Sequence, residues 1–219
     1  SDGVNIPILI LGNLYTKRDL IISFKNDLMP TISSMRDCLI CNNIGKHFGS
    51  KFSLHLKVDT GMSRLGFDYN KFVQQFEKLK SFENISIEGI YSHLSSADDN
   101  NSLDPKSSAQ LQRQKFQELL KQIKVDRNHD IKIHLANSAG MLLHEDFHYS
   151  MVRVGLSMYG YSPLAKIDKN LSLKPALFLK AKVAFTRIID KGVSVSYGGK
   201  FVSSRKTKLA VLSIGYADG

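Results

Sequence analysis

The amino-acid sequence predicts an α/β fold, a partial (β/α)8 barrel of the TIM type followed by the start of a carboxyl-terminal β domain. Up to about residue 160, short apolar runs alternate with amphipathic helical stretches, which is typical of βαβ units around a parallel sheet. After Tyr161, strand-like runs follow one another without helices between them. We therefore expect a barrel domain over residues 1–170, with about six of eight βα units, and a β domain over residues 171–219.

The strands are predicted from short apolar runs that are flanked by turn-forming residues. In the barrel region these runs are residues 7–11, 29–33, 53–58, 85–93, 131–135 and 151–158. In the β domain they are residues 176–189, 193–197 and 208–214, with Lys191-Gly192 as a turn.

Three helices carry their own start signals. Thr16 can cap the first helix, with Asp19 three residues later, and Asp68 stands directly before the second. Asp104-Pro105 is expected to open the longest helix. The apolar side chains spaced to face the sheet are Leu20, Ile21 and Phe24 in the first helix, Phe72, Val73, Phe76 and Leu79 in the second, and Phe116, Leu119, Leu120 and Ile123 in the third.

Composition excludes several classes of protein. The chain has 219 residues, of which 42% are apolar and 23% charged, so it is too apolar to be disordered. No apolar run is long enough to cross a membrane. Two cysteines cannot form a disulfide framework, which favours a reducing compartment and a cytoplasmic location. The chain opens at Ser1 without an initiator methionine, so we expect it to be part of a longer protein.

The net charge of +10 is concentrated in residues 165–208, which hold eleven basic and two acidic residues. A basic block can bind nucleic acid or an anionic surface. Here the basic residues are scattered singly through apolar, strand-like sequence, without a glycine–aromatic nucleic-acid motif. A solvated basic face is the favoured interpretation, and we expect no nucleic-acid partner. A non-catalytic basic binding module stays open as an alternative, which salt-sensitive nucleic-acid binding would indicate.

The sequence offers no metal site. Cys38 and Cys41 could be half of a zinc site or a redox pair, but no second pair exists and the segment reads as a helix. We therefore expect both cysteines to be structural. Five histidines show no ligand spacing and receive no role: His47, His55, His129, His144 and His148.

Polar residues follow the predicted barrel strands, where βα barrels carry their functional groups. Ser138 offers a hydroxyl where a helix begins, and Gly155 and Leu156 offer backbone N–H groups, so this region is suited to a phosphate. If these strands are the seventh and eighth of a barrel, two strands precede Ser1. The strand-end residues are Lys57, Arg64, His93, Asn137, Ser138, Arg153, Gly155 and Leu156.

Six sequence blocks at these strand ends and in the β domain resemble alanine racemases, pyridoxal-phosphate enzymes of fold type III. The most specific is Lys-Val-Asp-Thr-Gly-Met-Ser-Arg-Leu-Gly at residues 57–66. The blocks come in the family's order and cover essentially the whole chain. The others are Ser-His at 92–93 with Asp98, His-Leu-Ala-Asn-Ser-Ala at 134–139, Val-Arg-Val-Gly-Leu-Ser-Met-Tyr-Gly at 152–160, Val-Ser-Tyr-Gly at 195–198 and Ile-Gly-Tyr-Ala-Asp-Gly at 214–219.

The resemblance implies that Arg153 faces the pyridine nitrogen of pyridoxal 5'-phosphate. Many pyridoxal enzymes place a carboxylate there, which keeps the nitrogen protonated and the ring a strong electron sink. A guanidinium does not surrender its proton near neutrality, so the nitrogen stays unprotonated and the substrate carbanion is less delocalised. This arrangement is suited to a racemase and argues against a decarboxylase of the same fold.

The resemblance also implies how other strand-end residues act. Arg64 is expected to hydrogen-bond the phenolic oxygen of the cofactor and to help receive the substrate carboxylate. Lys57 is expected to be carbamylated, since burial of an ammonium is costly and a carbamate can pair with Arg64. His134 would hold Arg153, and Asn137 would lie near the substrate. The cofactor phosphate would be bound by Ser138, Gly155 and Leu156.

Racemisation requires two acid/base groups on opposite faces of the α-carbon. The family uses the lysine that forms the Schiff base with the cofactor and a tyrosine of the partner subunit, which Tyr197 matches. His93 would orient that tyrosine, and Tyr216 would line the entryway. The active unit implied is a head-to-tail homodimer. The family's cofactor lysine has no counterpart here, so we expect an internal fragment that is inactive alone.

The function implied is the interconversion of L-alanine and D-alanine, which supplies D-alanine for bacterial peptidoglycan. A serine or broad-specificity amino-acid racemase of the same fold is the alternative, because substrate breadth depends partly on residues outside this chain.

Overall fold

A computed structural model describes residues 6–99, 101–125, 131–164 and 172–218 of the chain. The chain divides into two compact units, residues 1–174 and residues 175–219. The domain boundary expected between residues 170 and 171 lies outside the described residues.

The first unit is built on a parallel sheet. Its main path has the order β1-β2-β3-β5-β6, and the short strand β4 pairs with the end of β3. Every pair along this path is parallel. The strands are β1 (Ile8–Asn13), β2 (Leu28–Ile32), β3 (Phe52–Asp59), β4 (Phe67–Asp68), β5 (Ile85–Tyr91) and β6 (Lys132–His134).

Helices connect these strands, and the α/β fold class with a partial barrel is confirmed. Each long crossover between main-path strands contains one helix, as parallel pairing requires. No helix in the described part of the chain is long and apolar enough to cross a membrane. The helices are α1 (Lys17–Lys25), α2 (Met35–Phe48), α3 (Tyr69–Leu79), α4 (Ser108–Gln122) and α5 (Ser138–Leu143).

Two of the three predicted helix starts are confirmed, and the third is wrong. The Thr16 hydroxyl accepts a hydrogen bond from the Asp19 N–H at 3.1 Å, and Asp68 caps α3. Helix α4 does not open at Asp104-Pro105, because Asp104 accepts the N–H of Lys106 and closes a turn instead. The cap of α4 is Ser107, whose hydroxyl accepts the N–H of Gln110 at 3.2 Å.

The hydrophobic core lies between the helices and one face of the sheet. Leu54, Leu56 and Val58 alternate along β3 and are fully buried on this face. The predicted inner faces of α3 and α4 pack in the same cluster, with Phe72 and Phe116 fully buried. Burial of apolar surface of this kind stabilises the fold by roughly 25 cal/mol per Å².

The cysteine pair lies within helix α2, as predicted. Cys38 and Cys41 are free thiols, both fully buried. Burial raises the pKa of Cys41 to about 12 and raises that of Cys38 further. Neither thiol is therefore a thiolate near neutral pH, and both behave as small apolar side chains of the core.

The opposite face of the sheet is polar, and strand register explains its layout. Lys57 of β3 is level with Tyr91 of β5, which is level with His134 of β6. Two residues before Lys57 on β3, His55 lies beside Thr31 of β2. Because side chains alternate along a strand, these residues all project from the face opposite the apolar core.

The sixth strand predicted for the barrel, residues 151–158, is wrong. Met151 forms one isolated parallel bridge with His134, and Leu156–Tyr159 is a short 3-10 helix. The backbone N–H of Gly155 is bonded by the Ser138 hydroxyl instead of by a neighbouring strand. The Arg153 N–H still donates to the Ala136 carbonyl at 3.0 Å, but at Gly155 a side-chain acceptor has replaced the backbone partner that a strand would need.

The second unit contains strands, as expected, but their bounds differ from the prediction, and they pair antiparallel. Strand β7 (Val183–Ile189) pairs with β10 (Thr207–Leu212), and β8 (Ser194–Val195) pairs with β9 (Phe201–Val202). Residues 176–182 form no strand, although the sequence predicted one from 176 to 189. The run at 193–197 is also shorter, because a 3-10 helix begins at Tyr197. Strand β9 was not predicted, since two residues give no periodicity.

Replacing Ser107 with Ala is expected to lower the free energy of unfolding by about 1 kcal/mol, because the Gln110 N–H loses its cap. Lys106→Ala is the matched control on an exposed neighbouring side chain, and should change stability by less than about 0.5 kcal/mol. Urea unfolding of the full-length protein measures both values. A larger loss from Asp104→Ala than from Ser107→Ala would place the start of α4 at Asp104 after all.

Candidate active site

A cleft of about 750 Å³ lies at the carboxyl edge of the parallel sheet in the first unit. This is the edge at which parallel α/β folds usually bind ligands. Its lining comes from strands β1, β3 and β5, from the segments that follow β3, β5 and β6, and from residues 151–156 and Pro163. It brings together eight of the residues that the sequence singled out: Lys57, Arg64, His93, Asn137, Ser138, Arg153, Gly155 and Leu156.

The Arg153 guanidinium is the centre of the hydrogen-bond network in this cleft. Its Nη1 donates to His134 Nδ1 at 2.7 Å. Its Nη2 donates to the carbonyls of Ser92 at 2.7 Å and Leu135 at 3.0 Å, and lies 3.2 Å from His93 Nδ1. Since a guanidinium has donors only, His134 Nδ1 must act as an acceptor. The two protons of Nη2 are shared among three neighbours, and an unprotonated His93 Nδ1 avoids placing a further donor against them.

Aromatic rings pack around the same guanidinium. The Arg153 Cζ lies 4.8 Å from the centroid of the Tyr91 ring, and the His134 ring stacks on Tyr91 at 4.5 Å with an interplanar angle of 12°. Burial lowers the pKa of Arg153 to about 10, while Tyr91 opposes that shift. Arg153 is therefore still a cation at neutral pH.

The histidines near Arg153 are neutral at pH 7. Burial, followed by the charge of Arg153, lowers the pKa of His93 to about 4 and that of His134 to about 2. Lys57 and Arg64 contribute further to the shift at His93. Each neutral imidazole carries one proton, so acceptance at Nδ1 places that proton on Nε2.

Lys57 projects from the polar face of β3 and is 4% exposed. Its Nζ lies 5.7 Å from the Tyr91 ring centroid. Burial lowers the pKa of Lys57, the nearby Arg64 and Arg153 lower it further, and Asp59 acts in the opposite direction. The lysine is therefore surrounded mainly by cations, a setting that favours its uncharged form.

The loop after β3 brings Arg64 to the cleft. Asp59 Oδ1 accepts hydrogen bonds from the N–H groups of Gly61, Met62 and Ser63 at 2.9, 2.9 and 3.1 Å, which holds the loop in a tight turn. At Gly66 the chain passes close to β3 again. Gly66 has φ +138°, and a Cβ there would lie 2.6 Å from the Asp59 nitrogen. This explains why an aspartate and glycines frame the arginine.

Ser138 and the segment after Arg153 form one corner of the cleft. The Ser138 Oγ accepts hydrogen bonds from the N–H groups of Gly155 at 2.9 Å and Ser157 at 3.3 Å. The preceding Asn137 caps α5 by accepting the N–H of Gly140 at 2.9 Å. The two N–H groups therefore converge on the Ser138 hydroxyl, whose own proton is a donor that can bind an anionic oxygen at the same corner.

Comparison with known proteins identifies the family. Residues 1–163 match the family model for the amino-terminal domain of alanine racemase, and residues 176–219 match the model for its carboxyl-terminal domain. The chain belongs to the alanine racemase family. The resemblance found in the sequence blocks is thereby confirmed.

Individual relatives agree with this assignment. The chain is 45% identical over 217 residues to the alanine racemase of Prochlorococcus marinus, covering 99% of this chain and 56% of that protein. The alanine racemase structure from Clostridium difficile 630 has a TM-score of 0.75 at 32% identity, over 99% of this chain and 56% of that one. The chain thus spans about half the length of the curated relatives it matches.

A second similar structure contains a cofactor. The alanine racemase from Bartonella henselae with covalently bound pyridoxal phosphate has a TM-score of 0.73 at 30% identity, covering 98% of this chain and 56% of that one.

Within this alanine racemase fold, Gln112 of α4 is a site residue that sequence analysis missed. It is buried, and its Nε2 donates to the His93 carbonyl at 2.9 Å. Its Oε1 accepts the N–H of Ser95 at 2.9 Å, so one side chain fixes the backbone on both sides of Leu94. The available signal was a glutamine on the apolar face of a helix, between Ala109 and Phe116.

His55 and Tyr91 were also missed, and both belong to the polar face of the sheet. The Tyr91 and Thr31 hydroxyls are 2.8 Å apart, and His55 Nδ1 lies 2.9 Å from His134 Nε2. The available signal was spacing, because His55 stands two residues before Lys57 in an apolar strand and so projects from the same face.

The two tyrosines predicted for the site, Tyr197 and Tyr216, belong to the second unit. Tyr197 follows Ser196, which has φ 60°, and is 92% exposed. Tyr216 begins a 3-10 helix whose Asp218 Oδ2 accepts the N–H of Gly215 at 2.7 Å. The catalytic and entryway roles of these tyrosines remain predictions.

Replacing His93 with Asn is expected to weaken the pH dependence of stability between about pH 6.5 and pH 4. An unfolded imidazole binds a proton below about pH 6.5, whereas the pKa of folded His93 is about 4. Acidification therefore favours the unfolded state, by on the order of 1 kcal/mol at pH 5. The variant removes that contribution, and urea unfolding of the full-length protein at pH 7 and pH 5 measures it.

His47→Asn is the control for loss of an exposed imidazole in α2. If His93→Asn and the unmodified protein lose equal stability between pH 7 and pH 5, His93 is not held neutral by the fold.

Proposed function

We propose that the protein carrying this chain is an alanine racemase that interconverts L-alanine and D-alanine with pyridoxal 5'-phosphate. The observation that carries the proposal is the Arg153 guanidinium at the cleft, whose described hydrogen-bond partners are two carbonyls and two neutral imidazoles. Its charge is left uncancelled by any of these partners. A group of this kind can face a pyridine nitrogen without protonating it.

The donors around Ser138 fit the phosphate of such a cofactor. A phosphate monoester needs several donors at its oxygens. The Ser138 hydroxyl proton is one of them, and the N–H groups of Gly155 and Ser157, which here donate to the Ser138 Oγ, would be shared with a phosphate oxygen bound at the same point. Leu156 lies between these two N–H groups and also lines the cleft. We assign the phosphate to Ser138, Gly155 and Leu156, with the Ser157 N–H as an additional donor.

The proposed role of Arg153 follows from its protonation. When bound, pyridoxal phosphate withdraws electrons from the substrate α-carbon and so acidifies its proton. Although burial lowers the pKa of Arg153 to about 10, the guanidinium would keep its own proton while it donates a hydrogen bond to the ring nitrogen. Electron withdrawal would then be moderate, and rapid return of the proton would be favoured over competing reactions. Arg64 would hold the phenolic oxygen and the substrate carboxylate.

Racemisation needs a second acid/base group on the opposite face of the substrate, and we assign Tyr197 of a partner subunit in a head-to-tail homodimer. A tyrosine with an ordinary pKa near 10 is a poor base at pH 7. The His93 Nδ1 accepts from Arg153, so its Nε2–H is the donor left to stabilise a tyrosinate and to orient it. Tyr216 would line the entryway, and Asn137 would lie near the substrate.

Lys57 is proposed to be carbamylated. Burial and two nearby guanidinium groups lower the pKa of Lys57, which increases the uncharged amine that attacks carbon dioxide. The amine nitrogen forms a bond to the carbon, and its proton leaves to water. The product is an anion among cations, so repulsion between Lys57 and Arg64 becomes attraction.

The small substrate proposed is alanine, and a serine or broad-specificity racemase is the alternative within the same fold. We place the enzyme in the cytoplasm, where D-alanine would be supplied to peptidoglycan synthesis.

Changing Arg153 to Glu in the full-length enzyme is expected to lower racemisation roughly 100-fold or more and to add a long-wavelength absorbance band. A carboxylate beside the ring nitrogen favours its protonated form, which strengthens electron withdrawal. Arg153→Lys is the matched control, because it keeps the charge and should lose activity without the new band. Normal turnover and an unchanged spectrum of the Glu variant would show that Arg153 does not face the ring.

Changing Tyr197 to Phe is expected to slow α-proton exchange mainly from L-alanine, since the tyrosine serves one face of the substrate only. Exchange into deuterated solvent, followed separately for each enantiomer in the full-length enzyme, measures this asymmetry. Tyr15→Phe removes an exposed hydroxyl from the loop before α1 and is the control. Equal losses from both enantiomers contradict a one-face role for Tyr197.

A further inference from the structure

His55, a histidine to which neither the sequence blocks nor the cleft assigns a role, extends the Arg153 network by one more ring. Arg153 Nη1 lies 2.7 Å from His134 Nδ1, and His134 Nε2 lies 2.9 Å from His55 Nδ1. Both histidines are buried, His134 completely and His55 to 2% exposure. The three side chains therefore form a continuous row that runs from the cleft into the polar face of the sheet.

The direction of every hydrogen bond in this row follows from its first member. Arg153 has only donors, so His134 Nδ1 accepts and the single proton of neutral His134 is on Nε2. That proton points at His55 Nδ1, which must then accept as well. In a neutral imidazole this leaves the proton of His55 on its own Nε2. A proton on either Nδ1 atom would place two donors face to face.

The backbone around His55 is shaped to receive its ring. His55 lies level with Gly89 of β5, and a Cβ on Gly89 would collide with the Nδ1, Cε1 and Cγ atoms of His55. The register shift between Leu54 and His55 adds an extra residue to β5 at this level. The glycine and the shift both serve to bring the His55 ring beside His134.

We infer that His55 is a positioning residue for Arg153. By accepting the Nε2 proton of His134, it fixes the tautomer in which His134 Nδ1 is an acceptor, and so it holds the Arg153 guanidinium at the cleft. Without an acceptor at position 55, the buried Nε2–H of His134 has lost its partner. A turned ring or the other tautomer of His134 then becomes more stable than the original arrangement. In either case Arg153 loses an acceptor.

Charged groups near His55 agree with a neutral ring. Burial lowers the pKa of His55 to about 4, Glu88 acts to raise it, and Arg153 lowers it further. Burial and the charge of Arg153 lower the pKa of His134, so this ring is neutral as well. Neither ring therefore needs a change of protonation near pH 7, and the row acts by geometry.

The tautomer of His134 is the first test, and it does not depend on the proposed function. In the full-length protein labelled with ¹⁵N-histidine at pH 7.5, the unmodified protein should show His134 protonated at Nε2 only. His55→Asn places an amide oxygen near the former Nδ1 and should keep that pattern. His55→Leu removes the acceptor and should give a shifted or mixed tautomer.

Two further variants keep the test decisive. Gly89→Ala pushes the imidazole aside without deleting it and should shift His134 as His55→Leu does, which covers the case in which the Leu variant fails to fold. His148→Leu is the matched control, because His148 bonds the Met141 carbonyl outside this row. His134 should be unaffected in that control. An unchanged His134 tautomer in both His55→Leu and Gly89→Ala overturns the inference.

The catalytic consequence rests on the proposed function and has its own readout. Alanine racemisation by the full-length enzyme should fall on the order of 10-fold in His55→Leu, in kcat more than in KM, and recover most of the loss in His55→Asn. Equal activity of His55→Leu and the unmodified enzyme overturns the role of His55 for Arg153. If the unmodified enzyme racemises no amino acid, the proposed function fails while the tautomer measurement still decides the structural inference.

Discussion

The cleft depends on one interaction above all, the hydrogen bonding of the Arg153 guanidinium to neutral acceptors. A buried guanidinium usually meets a carboxylate, but the described partners of Arg153 are the carbonyls of Ser92 and Leu135 and the imidazoles of His93 and His134. The charge is fixed in place without being cancelled. It therefore acts on its surroundings, and it contributes to the lowered pKa of both histidines and of Lys57.

The sheet supplies the geometry for this interaction. Parallel pairing sets Lys57, Tyr91 and His134 side by side at one level. An aromatic ring and an acceptor imidazole therefore contact Arg153, and the charge of Arg153 also acts on the lysine. Gln112 of α4 fixes the loop that carries His93. Apolar burial on the other face stabilises the sheet. This stabilisation offsets the free energy that is lost when the polar groups on the cleft face are removed from water. Bulges next to functional sites commonly change the direction of side chains. The register shift between β3 and β5, beside His55, is a bulge of this kind.

Much of the fold could be predicted from sequence, because helices and parallel strands have local periodicities. The cap at Thr16 and the apolar face of α3 followed from spacing alone. The start of α4 was wrong because Asp104 and Ser107 are both good caps, and the choice between them depends on which N–H groups the surrounding turn leaves free. The segment after Met151 is apolar like a strand, but beyond Arg153 the N–H groups of Gly155 and Ser157 bond the Ser138 hydroxyl. Contacts of that kind join distant parts of the chain and leave no periodic signal.

Some residues of the site could likewise be predicted from the sequence and others could not, for a physical reason. Residues at strand ends belong to short motifs, so the sequence indicated them, whereas His55 acts only through the neighbour that register gives it. That dependence also explains why the imidazoles must be neutral. A proton added to His134 Nδ1 would turn the acceptor of Arg153 into a donor, and two donors would then face each other in a buried place. The depressed pKa of His134 is thus a condition for the network to exist, because the same burial that excludes the proton preserves the bond that holds the guanidinium.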